Sequence, residues 1–247
     1  MRPVELQEFK TGKSAHTTDT RFVNNCTNPA IHIFIDERLF YSSLLIHKKS
    51  AFSASARKFV MTAMTRHRRQ TLLRHASGYI ELGELLLEAD KPTPASAQKL
   101  LLRALEELNQ LPEPTRSKAD AKLLEGEALR ALGRWSDALE PLEQSAAAEP
   151  KRIEPWLGLG WCLKRLGRMV EAIDALERGL AASPQQPILY YNLACYWSLA
   201  GNTSKAIEYV TQAISIDGRF RTLTDVEPDF DPIRSDPRFV AITTVVT

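Results

Sequence analysis

Residues 153–186 read IEPWLGLGWCLKRLGRMVEAIDALERGLAASPQQ, a run whose apolar and small residues alternate at helical spacing. Trp156, Leu159, Gly160, Leu163 and Leu166 form one stripe, and Gly167 supplies the left-handed stop that ends such a helix. Ala172, Ile173, Leu176, Gly179 and Leu180 form a second stripe. Ser183-Pro184 closes it, because proline disfavours helical geometry in the residue before it. The spacing predicts two short helices folded into a hairpin. Gly160 and Ala172 are expected to face each other across it, since two backbones approach closely only where no bulky side chain intervenes.

The same signals return on both sides at an interval of 34 residues: Gly133, Gly167 and Gly201; Ala138, Ala172 and Ala206; Gly126, Gly160 and Ala194; Pro150, Pro184 and Gly218. A fixed period of this length marks one supersecondary unit copied along the chain, so the expected fold is an all-α solenoid of helical hairpins. At these residues the chain resembles the tetratricopeptide repeat family. Trp156, Leu159, Gly160, Leu163, Ala172, Leu176, Gly179 and Pro184 fill the family pattern in order, and Tyr190, Leu193, Ala194, Trp197, Ala206, Val210, Ala213 and Gly218 fill it again. The preceding copy reads Lys122, Glu125, Gly126, Leu129, Ala138, Leu142, Ser145 and Pro150; with Lys122 and Glu125 in apolar places, this repeat is expected to pack less tightly.

The repeats are placed at 119–152, 153–186 and 187–220. Residues 61–118 form a basic helix start followed by a degenerate repeat, in which Gly83 and Ala97 stand fourteen residues apart instead of twelve. Residues 221–247 are read as a capping segment. Asp231-Pro232 and Asp236-Pro237 each pair an N-cap aspartate with a first-turn proline, and Phe230, Ile233, Phe239 and Ile242 would cover the last hairpin. The carboxylates Asp225 to Asp236 suggest a calcium loop only superficially: Phe230 replaces the tight-turn glycine and two prolines stiffen the run.

The formal net charge of +2 divides into +8 over residues 1–75 and −6 over 76–247. Residues 1–60 lack the periodicity and are expected to be a poorly structured extension, with translation from Met61 or Met64 as the alternative. Segment 57–75, with Arg57, Lys58, Arg66, Arg68, Arg69 and Arg74, is the candidate contact for a polyanion, nucleic acid or a membrane surface, against the plainer reading of a solvated helix. Three cysteines without metal spacing and no evident leader suggest a cytoplasmic location.

The five histidines all precede the clear repeats and form no metal-spaced pair, and Gly158-Leu-Gly160 lies within a helix where no phosphate cradle forms. No enzyme chemistry, cofactor or metal is expected. The family resemblance implies that the first helices line a concave face, with the rows Leu123, Leu157, Tyr191; Glu127, Trp161, Cys195; and Arg130, Lys164, Ser198, beside Asn192. Leu157, Trp161 and Tyr191 would be exposed there unless a ligand covers them. The resulting expectation is a non-catalytic scaffold that takes a protein or peptide partner. The chaperone-type carboxylate clamp of the family is not matched, because Leu123 and Glu127 stand where it would need lysine and asparagine.

Overall fold

The computed structural model describes residues 54–88 and 91–244, with side chains from 65 onward. The chain divides into two compact units. Of the smaller, residues 4–68, the described part is the start of helix α1 (Ala54–Glu84). The larger, from Arg69 onward, holds the array: α2 (Ala95–Asn109), α3 (Ala119–Ala131), α4 (Trp135–Ala148), α5 (Glu154–Arg165), α6 (Met169–Ala182), α7 (Pro187–Leu199) and α8 (Thr203–Ile216). Short helices follow at α9 (Phe220–Leu223), a 3-10 helix (Pro228–Ile233) and α10 (Pro237–Thr243). No strand occurs among the described residues, and the fold is an all-α helical-hairpin solenoid. Helix α1 begins at Ala54, inside the stretch expected to lack structure; the rest of residues 1–60 lies outside the described residues.

Each clear hairpin turns on a glycine. Gly133, Gly167 and Gly201 take φ of 76°, 74° and 77°, the left-handed region that a side chain resists. The chain then doubles back: the Arg168 N–H reaches the Leu163 carbonyl at 2.9 Å, and the pairs Arg134–Leu129 and Asn202–Trp197 repeat that bond at 2.9 Å. Asn202 also caps α8, its side chain accepting from the Lys205 N–H at 3.1 Å.

Within a hairpin the helices meet at the small residues. A Cβ built on Gly160 would lie 3.0 Å from the Leu176 side chain, and one on Gly126 would lie 2.5 Å from that of Leu142. Gly179 performs the reciprocal service for the large ring of the pattern, since a Cβ there would lie 2.7 Å from Trp156. The Trp156 indole N–H is satisfied by the Pro150 carbonyl at 2.9 Å, which ties one hairpin to the turn before it. Ser145, fully buried, donates to the Ala119 carbonyl at 3.0 Å.

The C-terminal segment packs on α7. Phe230 and Phe239 are buried with ring centroids 5.2 Å apart, and Ile233 is buried with them, while Ile242 is half-buried. Arg234 stitches this loop by donating to the Thr224 carbonyl at 2.9 Å and to the Glu227 carbonyl at 2.7 Å. One expectation is corrected: Asp231-Pro232 starts no helix. Glu227-Pro228 does so instead, the Glu227 carboxylate accepting from the Asp229 N–H at 3.2 Å, and Asp231-Pro232 falls inside the resulting 3-10 helix. Asp236-Pro237 does start α10, with Asp236 accepting from the Arg238 N–H at 2.9 Å.

Gly160→Leu places a branched side chain against Leu176 and Tyr196, so the expected cost is about 1–3 kcal/mol from overpacking, beyond any gain in helix propensity. Urea denaturation checks it, and a variant as stable as wild type would mean that α5 and α6 do not meet at this residue.

Candidate functional site

The stripe opposite the packing face of α3, α5 and α7 holds the residues singled out from the sequence. They divide into three kinds. Leu123, Tyr191 and Cys195 are buried. The expected exposure of Tyr191 is therefore corrected, and the reason is visible: its ring lies 5.1 Å from that of Phe220 and 5.5 Å, edge-on, from that of Phe230. The C-terminal segment already covers this end of the stripe.

The second kind are charges that find partners within the chain. The Arg130 guanidinium donates to Glu127 at 2.9 Å and to Glu84 at 2.6 Å. Burial works against its charged form, but the two carboxylates outweigh it and hold the guanidinium's pKa above its usual value. Lys164 forms an ion pair with Asp229 of the C-terminal segment and stands 5.4 Å over the Tyr196 ring. Ser198 is buried, and the Asn192 amide donates to the Ile188 carbonyl of its own helix at 2.8 Å.

The third kind is half-buried and apolar: Leu157 and Trp161, both on α5. The Trp161 ring meets Trp135 edge-on at 6.1 Å, and the guanidinium carbons of Arg130 and Arg165 stand 5.4 and 5.2 Å from its centroid. Arg165 also lies 5.5 Å from the Trp135 ring, so one cation serves two indoles. The sequence reading missed Trp135, Arg165, Glu84 and Asp229. Arg165 was within reach of it, being four residues from Trp161 on one helix, where side chains meet. Asp229 was not, because nothing local ties it to a lysine 65 residues earlier.

Burial pushes the Cys162 thiol up to about 12 and the Cys195 thiol well above its ordinary range, so neither is a thiolate near neutral pH. No group of His, Cys, Asp and Glu able to hold a metal occurs among the described residues, and no described helix is long and apolar enough to cross a membrane. In the basic segment Arg66, Arg68 and Arg74 are exposed. Arg69 donates to the Thr115 hydroxyl at 3.3 Å, and His75 lies 3.7 Å from the buried Glu107. Residues 57–64 carry no described side chains.

The sequence profile of the tetratricopeptide repeat matches residues 123–187, and a second profile of the same description matches residues 188–220. Residues 123–220 carry tetratricopeptide repeats. Among solved structures it is similar to a crystal structure of MamA, at 20% identity and a TM-score of 0.48, over 67% of this chain and 86% of that one. It is also similar to YrrB, described as a TPR protein with an unusual peptide-binding site, at 21% identity and a TM-score of 0.42, over 53% of this chain and 64% of that one. No curated protein matches the sequence. Tetratricopeptide repeats are in general non-catalytic, and the array is a protein–protein interaction scaffold.

The C-terminal segment carries two tests. Phe230 is fully buried against Tyr191, so Phe230→Ala should cost about 3–5 kcal/mol and strip hydrogen-exchange protection from α7 before α5. Unchanged protection of α7 would remove the segment from the core.

Glu227 supplies a pH dependence. Burial, with Asp229 beside it, pushes its carboxyl above the ordinary range, against the pull of the Asp229 N–H and of Lys164. The folded chain therefore holds this proton more tightly than the unfolded chain, and ionised Glu227 opposes folding; its contribution improves as pH falls through the raised value. Glu227→Gln keeps an acceptor for the Asp229 N–H, so its urea midpoint should exceed that of wild type at about pH 7. The gap should close toward about pH 4, where ordinary carboxyls protonate.

Proposed function

We propose that the chain is a non-catalytic scaffold that binds a peptide segment on the concave face of its repeats, with Trp161 as the anchor and Leu157 beside it. The supporting observation is the half-buried Trp161 ring, held by Trp135 and flanked by Arg130 and Arg165. Large aromatic rings held in place by their neighbours bind at little entropic cost, and they dominate interface energetics. Glu127, Arg130 and Lys164 border this surface, but each is already paired, so they shape it more than they attract. The C-terminal segment covers Tyr191 and salts Lys164, which directs a ligand toward α3 and α5. An apolar or aromatic peptide with few charges suits that surface better than a terminal carboxylate. Binding of a polyanion through residues 57–75 is the reading this one displaces.

A peptide library panned against the full chain tests the assignment. Trp161→Ala should weaken enriched peptides at least about thirtyfold, the equivalent of roughly 2 kcal/mol, while circular dichroism stays unchanged. The wild-type Trp161 indole should be open to a soluble quencher and shielded once peptide is added. Peptides that keep their affinity in Trp161→Ala and lose it through a substitution on another face would overturn the reading.

A further inference from the structure

The repeat spacing is broken before α3. Ala97 and Ala138, the matching small residues of the second helices, stand 41 residues apart where later copies stand 34 apart, and the excess lies in the connection between α2 and α3. Helix α3 is also thin on the side that meets α2. Where α7 carries Leu189 and Leu193, both fully buried, α3 carries Ala121 and Glu125. Two leucines' worth of apolar packing is absent at one inter-repeat contact. Consistent with that loss, a cavity of about 290 Å³ opens there, near the lower end of the range for small-ligand sites.

The walls are of two sorts. Leu105 and Leu108 of α2 and Leu129 of α3 supply apolar surface. The charged walls are mostly neutralised from within. Glu125 holds Lys122 at 2.8 Å, and Asp137 holds Arg134 at 2.6 Å. The remaining charge on the wall is Arg116, whose guanidinium has no ion-pair or hydrogen-bond partner among the described residues. The cavity thus sets an apolar wall of three leucines, within a largely polar rim, beside one cation without a partner among the described residues.

We propose that this cavity between α2 and α3 is a second binding site, separate from the Trp161 surface, for a ring-sized apolar group that carries a carboxylate. The ring takes the space that Leu189 and Leu193 fill in the later repeat, against Leu105, Leu108 and Leu129. The carboxylate meets the guanidinium of Arg116, whose planar fork suits a carboxylate in two-point contact. Both a free arylalkyl carboxylate and the C-terminal residue of a peptide present this chemistry.

Titration of the full chain by calorimetry or NMR tests the site, with N-acetyl-phenylalanine, its C-terminal amide and a pentapeptide ending in phenylalanine as probes. The acid should bind saturably with a Kd on the order of 1 mM or tighter, and the amide about tenfold more weakly. A pentapeptide that binds as well as the acid identifies a chain terminus as the natural source; one that is excluded identifies a free small molecule. Arg116→Gln, at an exposed position, should erase the preference for acid over amide. Ala121→Leu fills the cavity and leaves the Lys122–Glu125 pair in place, so it should lower affinity for the acid at least about tenfold without lowering the urea midpoint. Absence of saturable binding, equal affinity for acid and amide, or full binding by Ala121→Leu would overturn the proposal.

Discussion

The close approach of two backbones inside each hairpin constrains everything else in the array. Gly126 and Gly160 admit Leu142 and Leu176 to within contact of the helix backbone, and Ala194, fully buried, plays the same part in the next copy. That approach sets which way each helix is turned. Once the small residue faces its partner helix, the residues on either side of it are assigned to the neighbouring hairpin or to the opposite stripe. Trp161 and Leu157 stand half-buried on α5 because Gly160 and Leu163 are turned inward. A shift of the small residue by one position would rotate the helix by about 100° and present a different stripe.

Much of this was legible in the sequence because it is local. The 34-residue period, the left-handed glycines and the small-residue rows all act within one hairpin, and the periodic pattern reports them directly. The candidate site was less legible. Its expected stripe on α3, α5 and α7 mixes residues whose exposure depends on parts of the chain far away in sequence. Tyr191 is covered by Phe220 and Phe230, and Lys164 is taken by Asp229, contacts that no helical periodicity encodes. The aspartate-rich run gave the position of α10 correctly, but misplaced the other start. Glu227 and Asp231 both precede a proline, and tertiary packing of Phe230 selects between them.

Electrostatics on the stripe are largely settled inside the chain. Arg130 has two carboxylates and Lys164 has one, so a charged ligand arriving there would have to displace a pair already formed. Exchange of one ion pair for another yields little net free energy, particularly where the pair is partly desolvated. Aromatic surface faces no such competitor. This asymmetry is why the proposed surface rests on Trp161 and not on the row of cations.

The two ends of the array show how far a repeat's burial depends on its neighbour. Leu82 of α1 is 53% exposed, whereas its counterpart at the same position in α5, Leu159, is buried. Both are leucines, and α5 has the preceding hairpin packed on it through α4. At the opposite end the C-terminal segment supplies aromatic cover for α7, a role that a further hairpin would otherwise fill. In a quasi-one-dimensional stack each interface is made only between adjacent units, so a loss at one contact is not redistributed along the array. The α2–α3 contact, where Ala121 and Glu125 stand in for leucines, therefore keeps its cavity while the hairpins beyond it close fully around Leu159, Leu176 and Leu193.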